Sequence, residues 1–260
     1  MPRLSNLDDV RARLERDRNW SAFSLADLDP TYAAHAHWFG LPEGDDVVLV
    51  YDAFDPPIVF IQGADARCEA VLAEAEVVAA TQSAWLNVQP AHLPLVARVF
   101  SSFESREMVR MVLERDNFVP MPHPGVVPLG PPDLDEVLRF YADEAPSFFL
   151  PSQLHDGVYV GIRDEAGLMS IAGTHVLSET TSVGALGNVH TRADQRGRRL
   201  AGAVTGAVVQ ALFDRGIQTI VLNIIATNEA ARVAYERVGF REYCRYFEGP
   251  AVRSLAAAGR

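Results

Sequence analysis

Lysine is missing from this sequence altogether, so the side-chain positive charge comes from arginine. That absence excludes enzyme classes built on a lysine side chain. Phosphate-loop nucleotidases place one on the terminal phosphates, protein kinases need one on a strand, and pyridoxal enzymes use one as a Schiff base. Cysteine is scarce as well. Cys68 and Cys244 stand far apart, fit neither a disulfide framework nor a zinc site, and read as buried thiols. No apolar run approaches the ~20 residues that span a bilayer. No charged-then-apolar segment near the start reads as a signal peptide. The expectation is a soluble, cytoplasmic protein without a membrane partner. Positive charge is also in deficit, with a net charge of −11. Nonspecific nucleic-acid binding depends on clustered cations that neutralise phosphates, so no nucleic-acid partner is expected.

What is present is 260 residues, 48% of them hydrophobic, enough to bury a large core and to divide into two domains. Composition shifts at Pro120-Met121-Pro122-His123-Pro124, with Pro128, Pro131 and Pro132 close behind. Prolines at this density interrupt helix and sheet alike. The expected organisation is an α+β N-terminal domain over 1–120, a proline-rich linker over 121–131 and a second domain over 126–260. In the first half, Leu7 to Arg18 reads as a charged helix. Val47 to Tyr51 and Ile58 to Gln62 read as strands around an Asp55-Pro56-Pro57 turn. Cys68 to Val78 and His92 to Phe100 read as helices, Ala84 to Val88 and Met108 to Leu113 as strands. Two features invite a functional reading. His35 and His37 stand two apart, as metal ligands on one side of an extended segment would, but no adjacent donor completes a set; a packing role is preferred and no metal is expected. Trp20, Trp38 and Trp85 are assigned to core packing over ligand stacking.

In the second half, Asp133 to Glu144 has the spacing of an amphipathic helix. Tyr159 to Ile162 and Leu168 to Val176 alternate as a hairpin. Thr180 to Thr191 is a strand interrupted by Gly184 and Gly187, a sign of a bulge or of a close backbone approach. A small-residue helix runs from Leu200 to Phe213, with Gly202 and Gly206 explained by close seating on the sheet. Ile217 to Ile225 is apolar on both faces, as in the middle of a sheet. Asn228 or Thr227 opens a helix that Gly239 closes, and a last strand lies near Tyr243 to Glu248.

The chemistry concentrates where these pieces meet. A helix N-terminus leaves backbone N–H groups unpaired and carries partial positive charge, so the loop entering the helix at Leu200 suits an anion such as pyrophosphate. Arg192, Arg196, Arg198 and Arg199 form the one dense basic cluster in the chain.

Gly187-Asn188-Val189-His190-Thr191, the loop Gln195-Arg196-Gly197-Arg198-Arg199-Leu200-Ala201, and Asn228, Ala231, Tyr235, Gly239 and Phe240 follow one another in order. Together they resemble the GNAT superfamily of acyl-CoA-dependent N-acyltransferases over about residues 126–248. The resemblance implies a mixed α/β fold with a central, mostly antiparallel, V-split sheet flanked by helices. It implies that Asn188, Val189, His190 and Thr191 on a bulged strand pair with the pantetheine arm. Arg196, Gly197, Arg198, Arg199, Leu200 and Ala201 would hold the pyrophosphate, with Arg199 standing where the family usually has glycine. Asn228 and Ala231 would contact the cofactor arm, and Tyr235 would protonate the departing thiolate. A phenol and a thiol have similar pKa values, which suits that transfer. Many family members carry a glutamate base on the bulged strand, but Thr180 to His190 contains no carboxylate. His190, His175 and Glu179 remain as candidates, with His190 taken as the catalytic one. Phe148, Phe149 and Tyr159 are the expected substrate-binding residues.

The two-part length also resembles family members that carry a degenerate copy of the fold ahead of the active one, as glycine N-acyltransferase-like proteins do. The implied activity is transfer of acetyl, or another acyl group, from acyl-CoA to a small-molecule or peptide amine. A non-catalytic acyl-CoA sensor is the alternative. The acceptor and a homodimeric state stay open.

Overall fold

The computed structural model describes residues 3–142 and 149–253. It divides into two compact units, Met1–Val109 with Cys244–Arg260, and Arg110–Tyr243. The division falls inside two strands, Arg106–Leu113 and Arg241–Arg253. The proline-rich stretch therefore lies within the second unit. Its residues have a packing role there, because the helix Leu200–Asp214 carries glycines at 202 and 206 that receive Met121.

The first unit is an antiparallel meander of Ala36–Phe39, Val47–Tyr51 and Ile58–Gln62. The chain then crosses through the helices Asp65–Leu72 and Ala75–Ala80 to Ser83–Val88, which lies parallel to Ile58–Gln62. Its core is built from β-branched and leucine side chains of the inner strands, Val48, Val50, Val59, Ile61 and Leu86, closed by Val71 and Leu72 from the crossover helix. Each of these is at most 1% exposed. Trp20 and Trp38 are buried as expected. His35 Nδ1 and His37 Nε2 both bond to Asp52, at 2.9 and 2.8 Å. The two imidazoles thus share a carboxylate that local sequence did not reveal, and among the described residues no group of three metal-ligating side chains forms.

The second unit has a similar order with a fourth antiparallel strand. Val126–Leu129, Tyr159–Asp164, Gly167–Ser178 and Val183–Thr191 run antiparallel. The helix Leu200–Asp214 crosses to Thr219–Ile225, parallel to Val183–Thr191. Glu229–Val238 is the next helix. Pairing between the two parallel strands ends at Leu186 and Leu222, although the strands continue to Thr191 and Ile225. The sheet therefore parts at this point. The parting begins one residue before a bulge between Gly187 and His190. Gly184 sits over Leu212, where a Cβ would come within 2.9 Å, which brings the crossover helix close to the sheet. Gly202 and Gly206 do not serve that seating. A Cβ on Gly202 would stand 2.8 Å from the Met121 sulfur, and one on Gly206 3.4 Å from the Met121 nitrogen. The expectation that these two glycines seat the helix on the sheet is corrected: they accommodate the segment from the proline-rich stretch.

Candidate active site

Where the two strands part, a cavity of about 530 Å³ opens within the second unit. That lies in the range of small-ligand sites. Three structural features build its walls, and each follows from local sequence.

The first wall is the bulge. Asn188 has φ 53°, a left-handed conformation that asparagine tolerates better than other non-glycine residues. Beyond this turn, Val189, His190 and Thr191 line the cavity. Asn188 itself does not. Its side chain is 5% exposed and turned the other way, where Nδ2 donates to the Tyr159 hydroxyl at 2.7 Å and to Gln153 Oε1 at 3.0 Å. Its carbonyl accepts from the Tyr141 hydroxyl at 2.6 Å. Gly187 precedes the bulge because a Cβ there would lie 1.8 Å from the His175 ring.

The second wall is the loop and helix start. Gly197 has φ 81° and Arg199 φ 63°, both left-handed, and Arg199 is the residue just before the helix Leu200–Asp214. That geometry explains why glycine suits position 199 and what the arginine costs, about 1–2 kcal/mol for an L-residue. A Cβ on Gly197 would meet nothing within 4 Å, so packing is not what calls for glycine there. Among the described residues no backbone acceptor is bonded by the N–H groups of 197–202. A row of free amides of this kind suits an anion. Arg196, Gly197, Arg199, Leu200 and Ala201 line the cavity. Arg198 does not; its guanidinium bonds to the Gln195 side chain. Arg192 is also set apart, paired with Asp194 at 2.7 Å and Asp164 at 2.6 Å, contacts that hold its guanidinium protonated.

The third wall is the helix Glu229–Val238. Asn228 caps it, accepting from the Ala231 N–H at 3.1 Å, and both line the cavity. Gly239 ends it with φ 109°, in a position where a Cβ would stand 1.9 Å from the Asn117 carbonyl oxygen. That tight stop brings Phe240 back against the Tyr235 ring, with centroids 6.1 Å apart. Tyr235 is 8% exposed and lines the cavity. Burial raises its phenol above the usual tyrosine value. Among the described residues no hydrogen bond holds its hydroxyl.

Among the described residues no aspartate or glutamate lines this cavity, whereas Arg196, Arg199 and Arg237 do. Arg237 and Arg199 have no ion pair among the described residues, although arginines elsewhere in the unit do, such as Arg232 with Glu242 and Arg241 with Glu114. Sequence reading missed Arg237, Ala234 and Met121. The signal for the first two was present, because Ala230, Ala234 and Arg237 share a face at i, i+4 and i+7. Met121 carried none, since only the tertiary packing places it over Gly202.

Of the candidate bases, His190 lines the cavity, and its ring stands edge-on to Phe140 at 5.3 Å. His175 lies behind the bulge, and burial lowers its imidazole to about 4. Glu179 sits in the exposed turn before Val183–Thr191 and is not in the lining. Of the expected substrate-binding residues, Tyr159 is 3% exposed in the core and Phe149 packs against the same cluster. Phe148 lies outside the described residues.

Residues 159–247 match the family described as FR47-like protein. No curated protein matches the chain. Among solved structures, a Drosophila protein from structural genomics is similar with a TM-score of 0.72 and 16% identity, covering 96% of this chain and 97% of that one. A putative GNAT-family acetyltransferase from Novosphingobium aromaticivorans gives 0.62 and 19%, over 90% and 97%. A tandem GNAT protein from the clavulanic acid biosynthesis pathway gives 0.58 and 13%, over 96% and 97%. The likeness extends over both units of the chain. By its fold this chain is similar to GNAT-family acetyltransferases of known structure, and its residues 159–247 match the FR47-like family.

Proposed function

We propose that the second unit is an acyl-CoA-dependent N-acyltransferase, in its simplest form an acetyltransferase acting on a primary amine. The observation that carries this reading is the meeting, in one cavity, of a row of free amides and the arginines Arg196, Arg199 and Arg237 with the phenol of Tyr235. The amides of 197–202 and the Arg196 and Arg199 side chains would hold the pyrophosphate of coenzyme A. The backbone of Val189 to Thr191 would pair with the pantetheine amides, and Asn228 keeps its side-chain NH₂ for the same arm. Nothing in this lining requires a metal.

Placed so, the ligand would bring its thioester toward the Tyr235 hydroxyl. The amine nitrogen forms a bond to the carbonyl carbon, the carbon–sulfur bond breaks, and the thiolate takes the Tyr235 proton. The amine proton leaves to His190 or water, and that same route returns a proton to the tyrosinate, so the phenol is restored. The near match of phenol and thiol acidity expected from sequence does not hold here, because burial raises the phenol. Tyr235 therefore acts first as a hydrogen-bond donor to the developing thiolate.

The first unit has a strand and helix order similar to that of the second, which supports reading it as a degenerate copy. Its counterpart of the phosphate loop, Gln62-Gly63-Ala64, is occupied by Asp46, whose backbone would stand 2.6 Å from a Cβ on Gly63. That carboxylate bonds to Arg67 at 2.5 Å and to the Leu41 N–H at 2.8 Å. A buried carboxylate paired with Arg67 at this place supports reading the first unit as lacking a phosphate site.

Calorimetry with acetyl-CoA tests the reading directly, with saturable binding expected and absence of binding by any acyl-CoA at near-millimolar concentration refuting it. Tyr235→Phe should keep that affinity and lose about 10²-fold in kcat. Unchanged turnover would remove the assigned acid. The absence of a carboxylate from the lining favours a second reading, an acyl-CoA sensor, which predicts binding with no transfer to any amine in a broad panel.

A further inference from the structure

The bulge on which the proposed donor site depends is held from behind. Asn188 adopts a left-handed backbone, and everything its side chain and carbonyl bond to comes from three other elements. Tyr141 arrives from the helix Leu134–Ala142, Tyr159 from the strand Tyr159–Asp164, and Gln153 from the short helix Gln153–Asp156. Tyr141 donates to the Asn188 carbonyl at 2.6 Å. Asn188 Nδ2 donates to the Tyr159 oxygen at 2.7 Å, and the Tyr159 hydroxyl donates in turn to Gln153 Oε1 at 3.0 Å. Gln153 is itself anchored, its NH₂ donating to the His175 carbonyl at 3.2 Å. Both tyrosines are at most 3% exposed, and burial raises both phenols, so they remain hydroxyl donors.

None of Tyr141, Tyr159 and Gln153 lines the cavity. Their effect on it runs through the backbone. A carbonyl held at Asn188 fixes the peptide planes that follow, and those planes present Val189, His190 and Thr191 to the ligand. The chain supplies a second hold two residues on, where Ser170 Oγ donates to the His190 carbonyl at 3.1 Å. Asn188 Oδ1 is buried without a partner, so the side chain is oriented through its NH₂ and not by general polar packing.

We propose that Tyr141, Tyr159 and Gln153 are positioning residues that latch Asn188 and so set the bulge for the acyl donor. This rests on the reading of the cavity as an acyl-CoA site. The test is a double-mutant cycle read as acetyl-CoA affinity by calorimetry, with thermal midpoints recorded for every variant. Tyr159→Phe and Tyr141→Phe are each expected to weaken binding about tenfold and to raise KM for the donor, with kcat within about twofold of the parent. In an Asn188→Gly background, which keeps the left-handed backbone and the Tyr141 bond to its carbonyl but removes the side-chain bonds to Tyr159 and Gln153, Tyr159→Phe should cost less than about twofold, because the bond it deletes is already gone. Equal losses in both backgrounds, or full affinity in both phenylalanine variants, would overturn the latch. If either phenylalanine variant unfolds, Gln153→Met carries the same cycle from the far end of the network. Failure of the parent protein to bind acetyl-CoA would instead overturn the reading beneath it.

Discussion

Replacing Arg199 with glycine should move stability and ligand affinity in opposite directions, and the structure sets the size of both. Arg199 holds φ 63° immediately before the helix Leu200–Asp214. Relief of the left-handed penalty gains about 1–2 kcal/mol. Glycine returns about 0.5–1 kcal/mol of that through the entropy of the unfolded chain. The net gain is about 0.5–1 kcal/mol, or a rise of roughly 1–4 °C in Tm for a chain of this length. The same change deletes an unpaired cation from the wall of the cavity. A charge-assisted hydrogen bond contributes about 1.5–3 kcal/mol, so acetyl-CoA should bind about 10- to 100-fold more weakly. Its salt dependence should flatten as well. Differential scanning fluorimetry and calorimetry on the parent, Arg199→Gly and Arg199→Ala read both effects. The alanine variant should lose affinity to a similar degree without the rise in Tm, since it keeps the left-handed cost. A fall in Tm for Arg199→Gly, or unchanged affinity in both variants, would refute the reasoning.

Gly187→Ala should destabilise by about 1–3 kcal/mol, because its Cβ would lie 1.8 Å from the His175 ring and the ring must leave. The displaced imidazole would then titrate by NMR nearer its ordinary value than about 4, and an unshifted resonance would count against the packing described. In the first unit, burial raises the Asp27 carboxyl to about 8. Between its unfolded value near 4 and about 8 the folded state holds a proton that the unfolded state has lost, so stability falls as pH rises through that window. Asp27→Asn should therefore be neutral near pH 4 and stabilising by a few kcal/mol at pH 8 and above. Thermal melts from pH 4 to 9 check it, with a pH-independent effect as the contrary result.

Most of the elements around the site were legible in the sequence, because their signals are local. The strands Val47–Tyr51 and Ile58–Gln62 lie where the β-branched runs placed them, and the helices Leu200–Asp214 and Glu229–Val238 begin where the glycine-arginine loop and the asparagine cap end. The short strands Ala36–Phe39 and Val126–Leu129 went unseen, since four residues carry too little periodicity and Pro128 argues against a strand. The sequence by itself determined the order of bulge, glycine-arginine loop and tyrosine helix, since each rests on a backbone preference within a few residues: a left-handed asparagine, a glycine before a helix, a side-chain cap. Only the tertiary structure decided which way the side chains face. It turned Asn188 into a buried network, put Arg198 against Gln195, took Tyr159 into the core and brought Met121 and Arg237 to the cavity. Those outcomes depend on contacts between elements distant in the chain, and spacing along a single element cannot encode them.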